Sequence, residues 1–194
     1  MSAVVQDELL RRHRLTVDEF YRMAEAGLLA PEARVELIEG EVIDMAPTGD
    51  QHAGVVAWLM QRLLSQLEGR ATVWCQSTLR LAGRSAPQPD LAVLRYRADS
   101  YKTVRPTTAD MLLLIEVSES SFRYDRDVKV PLYARHAIPE AWIVELGRSP
   151  HLHIFRSLEG HAYARISKTD RPGRLQLEAL PAVTIELTGL LDGL

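Results

Sequence analysis

A single α/β domain with a mixed central β-sheet flanked by helices is the architecture this sequence predicts, and three observations carry the prediction. MLLLIEVS, residues 111 to 118, is apolar almost throughout, as a central strand covered on both faces should be. From His52 to Leu67 the apolar residues Val55, Val56, Leu59, Leu63, Leu64 and Leu67 recur at intervals of three and four, the spacing of a helix packed on one face. No repeat, low-complexity tract or long linker divides the chain, and 194 residues suit one domain with a buried core.

The elements follow in order. Residues 1–14 are polar and read as a flexible N-terminus, with the domain spanning 15–194. Thr16, with Glu19 three positions on, forms a capping-box pattern and starts a short helix that runs to about Ala26 and stops at Gly27. RVELIEGEVIDMAP reads as two short apolar segments hinged at Gly40 and closed by Pro47. After the His52 helix, ATVWCQSTLRL and PDLAVLRY read as strands on either side of the Pro87 and Pro89 turn. A helix from Asp125 to about His136 follows MLLLIEVS; AWIVEL is then a strand, HLHIFRS and HAYARIS a hairpin, and the C-terminal region one or two short strands.

Composition narrows the function classes. With 46% hydrophobic and 25% charged residues the chain is neither disordered nor fibrous. Its net charge of -3 supplies no global field for nucleic acid, so any DNA contact must be local. The single Cys75 forms no internal disulfide and no zinc set, which suits a reducing cytoplasm. The N-terminus lacks the apolar stretch of a signal peptide and no run reaches membrane-spanning length, so a cytoplasmic protein is expected. Walker, dinucleotide-binding and G-x-S-x-G motifs are absent.

One constellation carries chemistry. Glu116 lies inside the most apolar strand, where an ionised carboxylate is costly unless paired or bound to a cation. Asp90 heads another apolar strand. If the two strands are neighbours, both carboxylates can converge on a hard divalent cation such as magnesium or manganese. Lys129 and Tyr133 are one turn apart on the following helix, so the ammonium can reach the strand end that carries Glu116. Such a set suits phosphodiester hydrolysis: the metal polarises a phosphate and activates a water, and the lysine orients that water or stabilises charge. On this reading Lys129→Ala folds and binds metal normally.

RVELIEGEVI, PQPDLAVL, LLIEVSESS and YDRDVKVPLYARHAIPEAWIV, in this order over residues 30 to 150, resemble the Uma2 family, also called the domain-of-unknown-function 820 group, of the PD-(D/E)xK nuclease superfamily. The resemblance implies a restriction-endonuclease-like core and a magnesium-dependent endonuclease acting on DNA, with a homodimer by analogy with superfamily members that cut duplexes. It assigns Pro89 and Asp90 to the "PD", Glu116 to the second carboxylate, and Glu36 to the acidic residue of the first core element. Two residues past Glu116, where the superfamily's basic residue usually stands, this sequence has Ser118, so the lysine role passes to Lys129.

Each residue also has a plainer reading. Asp90 suits a turn after two prolines, Glu116 a pair with a structural arginine, and Lys129 a weak surface pair with Asp125. Glu39 and Glu41 compete with Glu36, because one sequence does not phase this segment; the resemblance selects Glu36. His52, Gln76 and Tyr133 are candidates to support the site from behind its metal-holding and catalytic groups, and Gln88 could line the cleft. Arg95, Arg97, Lys102 and Arg105, interleaved with Tyr96 and Tyr101, suit phosphate contact and base stacking, or a solvated loop. Two other functions remain open: a nucleic-acid-binding or assembly module of the same fold without turnover, and a metal hydrolase of other phosphate esters.

Overall fold

The computed structural model of the protein describes residues 12–30 and 32–194. Most of the expected flexible N-terminus, residues 1–11, lies outside the described residues. Arg14, near its end, is held: its guanidinium is 2.8 Å from Glu41 and donates to the Glu39 carbonyl.

Helix α1 (Val17–Glu25) starts where its capping box dictates. Thr16 Oγ1 accepts the Glu19 N–H, and Glu19 Oε2 accepts the Thr16 N–H at 2.7 Å. Strands β1 (Val35–Ile38) and β2 (Glu41–Asp44) pair antiparallel around Glu39 and Gly40, both at positive φ (50° and 86°), as in the type I′ turn that matches strand twist. A Cβ at Gly40 would also lie 2.7 Å from Arg14 Cβ, so close approach and turn geometry both require glycine.

The centre is a six-stranded sheet in the order β3 (Ala71–Cys75), β4 (Leu91–Arg95), β5 (Met111–Ser118), β6 (Ala141–Glu145), β7 (His151–Glu159), β8 (Ala162–Thr169). Only β5 and β6 run parallel, so the sheet is mixed as expected. Their crossover is helical: α3 (Phe122–Tyr124), a π turn (Asp125–Lys129) and α4 (Val130–Arg135). A small hairpin of β9 (Arg174–Gln176) and β10 (Thr184–Glu186) completes the fold. Among the described residues no helix is long and apolar enough to cross a membrane.

Every residue of β5 is buried, because both sheet faces are covered. On one face, α2 (Asp50–Gln66) packs Val55, Leu59 and Leu63 against Val93, Leu113, Ile115 and Val144. On the other, Leu132 and Tyr133 of α4 meet Leu94, Leu114 and Ile143. Each such side chain taken from water contributes about 1.5–3 kcal/mol.

Two boundaries differ from the sequence reading. The strand expected to run from Ala71 to Leu81 ends at Cys75, because Gln76 takes a left-handed backbone (φ 44°) that turns the chain out of the ladder. The helix expected from Asp125 begins at Phe122 and contains the π turn, which apolar periodicity does not reveal.

Candidate active site

Alternation along β5 sends Ile115 and Val117 into the α2 core and leaves Glu116 and Ser118 on the opposite face, beneath the helical crossover. Leu91 pairs with Ile115 at the end of the β4–β5 ladder. One step further the antiparallel register sets Asp90 opposite Glu116, on that same face. Both line a cavity of about 320 Å³ together with Glu36, Asp125 and Lys129.

Asp90 is clamped. Oδ2 accepts the Val117 N–H at 2.8 Å and lies 3.1 Å from His52 Nε2, while Oδ1 accepts Gln76 Nε2 at 3.2 Å. Burial by itself would raise this carboxyl, but the His52, Val117 and Gln76 contacts outweigh it and hold the group below the usual carboxylate range.

Glu116 has the opposite balance. Lys129 Nζ stands 2.9 Å from Oε1, and the Tyr133 hydroxyl donates to the same oxygen. Oε2 has no hydrogen-bond partner among the described residues. Burial pushes the Glu116 carboxyl well above its ordinary value; Lys129 opposes this, and Asp125, Asp90 and Glu36 add to it.

Of the three competing glutamates, Glu36 faces the cavity: it is 2% exposed, accepts the Gln88 N–H and the Tyr124 hydroxyl, and lies 3.4 Å from Lys129 Nζ. Glu39 points to solvent beside Arg135, and Glu41 beside Arg14. Lys129 is no surface residue. Its ammonium is buried among Glu116, Glu36 and Asp125, and although burial alone would lower its pKa, those three carboxylates raise it and keep it charged.

The structure thus brings together Glu36, Asp90, Glu116 and Lys129, with His52 at the cavity wall and Gln76 and Tyr133 behind it. It does not bring Arg95, Arg97, Lys102 or Arg105 to the cavity. The loop was expected beside the site, yet it follows the far end of β4, roughly 16 Å along the strand from Asp90 at about 3.3 Å per residue. Arg95 donates to the Ala109 carbonyl, Arg97 pairs with Asp99, and Arg105 stacks over Tyr21.

Sequence reasoning missed Tyr124 and Asp125 as site residues, although both precede Lys129 within YDRDVK. It also missed Arg34, which lines the cavity mouth and donates to Thr48 Oγ1 at 2.6 Å. Nothing in the local sequence distinguishes Arg34 from an ordinary surface arginine.

The family model of Uma2, described as "Putative restriction endonuclease", matches residues 17–188. That span runs beyond the motifs of residues 30 to 150 and takes in α1 and the C-terminal hairpin. None of the curated proteins matches the chain. Among solved structures it is similar to one from Anabaena variabilis described as a "putative nuclease belonging to DUF820", at 15% identity and a TM-score of 0.69, over 92% of this chain and 98% of that one. At that identity the likeness speaks for the fold.

Proposed function

The chain belongs to the Uma2 family, and from that premise we propose that it is a metal-dependent endonuclease hydrolysing phosphodiester bonds in DNA. One observation carries the proposal. Glu36, Asp90, Glu116 and Asp125, all buried, line one cavity in which, among the described residues, Lys129 is the only buried cation and Arg34 is exposed. Buried negative charge in excess of its counter-ions calls for a further cation.

The donor set fits a hard divalent ion. Magnesium usually takes one or two carboxylates and completes its shell with water and phosphate oxygens. Asp90, oriented by three contacts, and Glu116, whose Oε2 has no partner among the described residues, would hold it. When bound, magnesium or manganese supplies Lewis-acid polarisation of the phosphate and a more acidic water.

The chain's own groups do the rest. Tyr133 and Lys129 fix Glu116 through Oε1. His52 and Gln76 orient Asp90 in the same way. Lys129, held charged, stabilises negative charge that develops on the phosphate, a contribution that lies mainly in the transition state. Glu36 shares the ammonium and ties the β1–β2 hairpin to the site through Tyr124. We extend the proposal to a homodimer, by analogy with superfamily members that cut duplexes as paired subunits, and to the cytoplasm, where a lone Cys75 stays a thiol.

A module without turnover is the second reading. It is favoured by the finding that, among the described residues, no three His, Cys, Asp or Glu side chains are grouped to hold a metal ion. Incubation with supercoiled, linear, nicked and single-stranded DNA separates the two. Cleavage that requires magnesium or manganese and stops with chelator is expected; binding without cleavage under all these conditions would select the module.

A further inference from the structure

The Asp125 carboxylate is 4% exposed at the junction of α3 and the π turn. Two serines donate to one of its oxygens: Ser118 Oγ at 2.7 Å and Ser121 Oγ at 2.6 Å, both to Oδ2. Ser118, fully buried, projects from β5 on the same face as Glu116. With Oδ2 so fixed, Oδ1 faces Lys129 Nζ at 3.9 Å. The backbone between the two residues is the π turn, closed by the Val130 N–H donating to the Asp125 carbonyl, and a single π turn of this kind is frequently found at functional sites.

Lys129 therefore has carboxylates on two sides. Glu116 and Glu36 draw it toward the sheet, and Asp125 draws it back along the helix. The ammonium is in contact with Glu116 at 2.9 Å, and Asp125 adds a third carboxylate from the helix side at 3.9 Å. We infer that Asp125 is a positioning residue for Lys129: anchored by Ser118 and Ser121, it constrains the ammonium from the helix side while Glu116 and Glu36 hold it from the sheet. The inference rests on the nuclease reading for its consequence in turnover, but the placement itself is independent of substrate.

Asp125 could instead merely tie the helix to β5 through its serine bonds. Asp125→Asn separates the two roles, because an amide oxygen still accepts both hydroxyls while the charge facing Lys129 is gone. In the full chain with manganese and supercoiled plasmid, kcat should fall about tenfold or more, the scale seen when an outer partner of a reacting group is removed, with the KM for DNA unchanged and no fall in melting temperature. An anchor alone predicts full kcat in this variant, and that result would overturn the inference. A second readout uses no substrate: with lysines carrying carbon-13 at Cε, the Lys129 side-chain resonance should move in Asp125→Asn and also in Ser118→Ala. An unmoved resonance in Asp125→Asn likewise ends the inference. If the parent itself cleaves no DNA, the nuclease reading fails, and the resonance still decides the placement.

Discussion

Lys129 Nζ lies 2.9 Å from Glu116 Oε1, so a strand carboxylate and a helical ammonium form one buried ion pair rather than two separate site residues. Removing the lysine leaves Glu116, Glu36 and Asp125 buried without their common counter-ion. Lys129→Ala should therefore lose about 3–5 kcal/mol of stability in urea denaturation, where the sequence alone leads us to expect normal folding. Its cleavage rate should fall roughly a hundredfold or more. Lys129→Arg should rescue poorly, because the guanidinium is planar and too large for a site only 3% exposed. A denaturation curve that overlays the parent's would refute the buried-pair account.

Tyr133 is fully buried and donates to the Glu116 oxygen that Lys129 also contacts. Tyr133→Phe keeps the packing against Leu94 and Ile143 and deletes the donor. Glu116 is then less firmly oriented, and manganese affinity by calorimetric titration should weaken by about 10–100-fold. Unchanged affinity would reduce Tyr133 to a packing residue.

Much of this site was legible because burial and charge conflict openly in the sequence. Glu116 within MLLLIEVS can be located from one strand, since few carboxylates sit in so apolar a run. Asp90 needed the second strand beside the first, and the register next to Leu91↔Ile115 supplies that relationship. Glu36 was not separable from Glu39 and Glu41, because a type I′ turn lies between them and its phase depends on tertiary docking. Asp125 escaped notice since its partners, Ser118 and Lys129, come together only through the π turn. The basic loop misled for a simpler reason: nearness in sequence to Asp90 ignored the length and direction of β4.

Away from the cavity, Glu140 is fully buried and accepts from Trp142 Nε1, Arg156 and the Glu178 N–H. Burial nevertheless raises its carboxyl above the ordinary 4.5, with those donors opposing. The folded state thus binds this proton more tightly than the unfolded chain. Its contribution to stability is complete below 4.5 and is lost as pH rises through the raised value. Glu140→Gln removes that dependence while still accepting from Arg156. Melting temperatures across a pH series should fall less steeply with rising pH in the variant, and parallel profiles would show that Glu140 does not titrate differently on folding.

Metal binding offers the most direct test of the cavity. A ligand that binds only the folded state stabilises it by about 2.7 kcal/mol at a hundred times its Kd, so manganese should raise the melting temperature of the parent and chelator should reverse the rise. Asp90→Ala should abolish that rise, since Glu116 alone offers too few oxygens to a hard cation. Glu116→Gln should abolish it as well, but with a further signature. Burial makes the Glu116 charge unfavourable in the metal-free protein, and Lys129 keeps Glu36 and Asp125 as partners when that charge is removed. Metal-free Glu116→Gln should therefore melt no lower than the metal-free parent at neutral pH, as expected where a site stores destabilising charge for a ligand. An undiminished manganese shift in either variant would place the metal elsewhere, and a large drop in the melting temperature of metal-free Glu116→Gln would mean that the Lys129 pair is structural first.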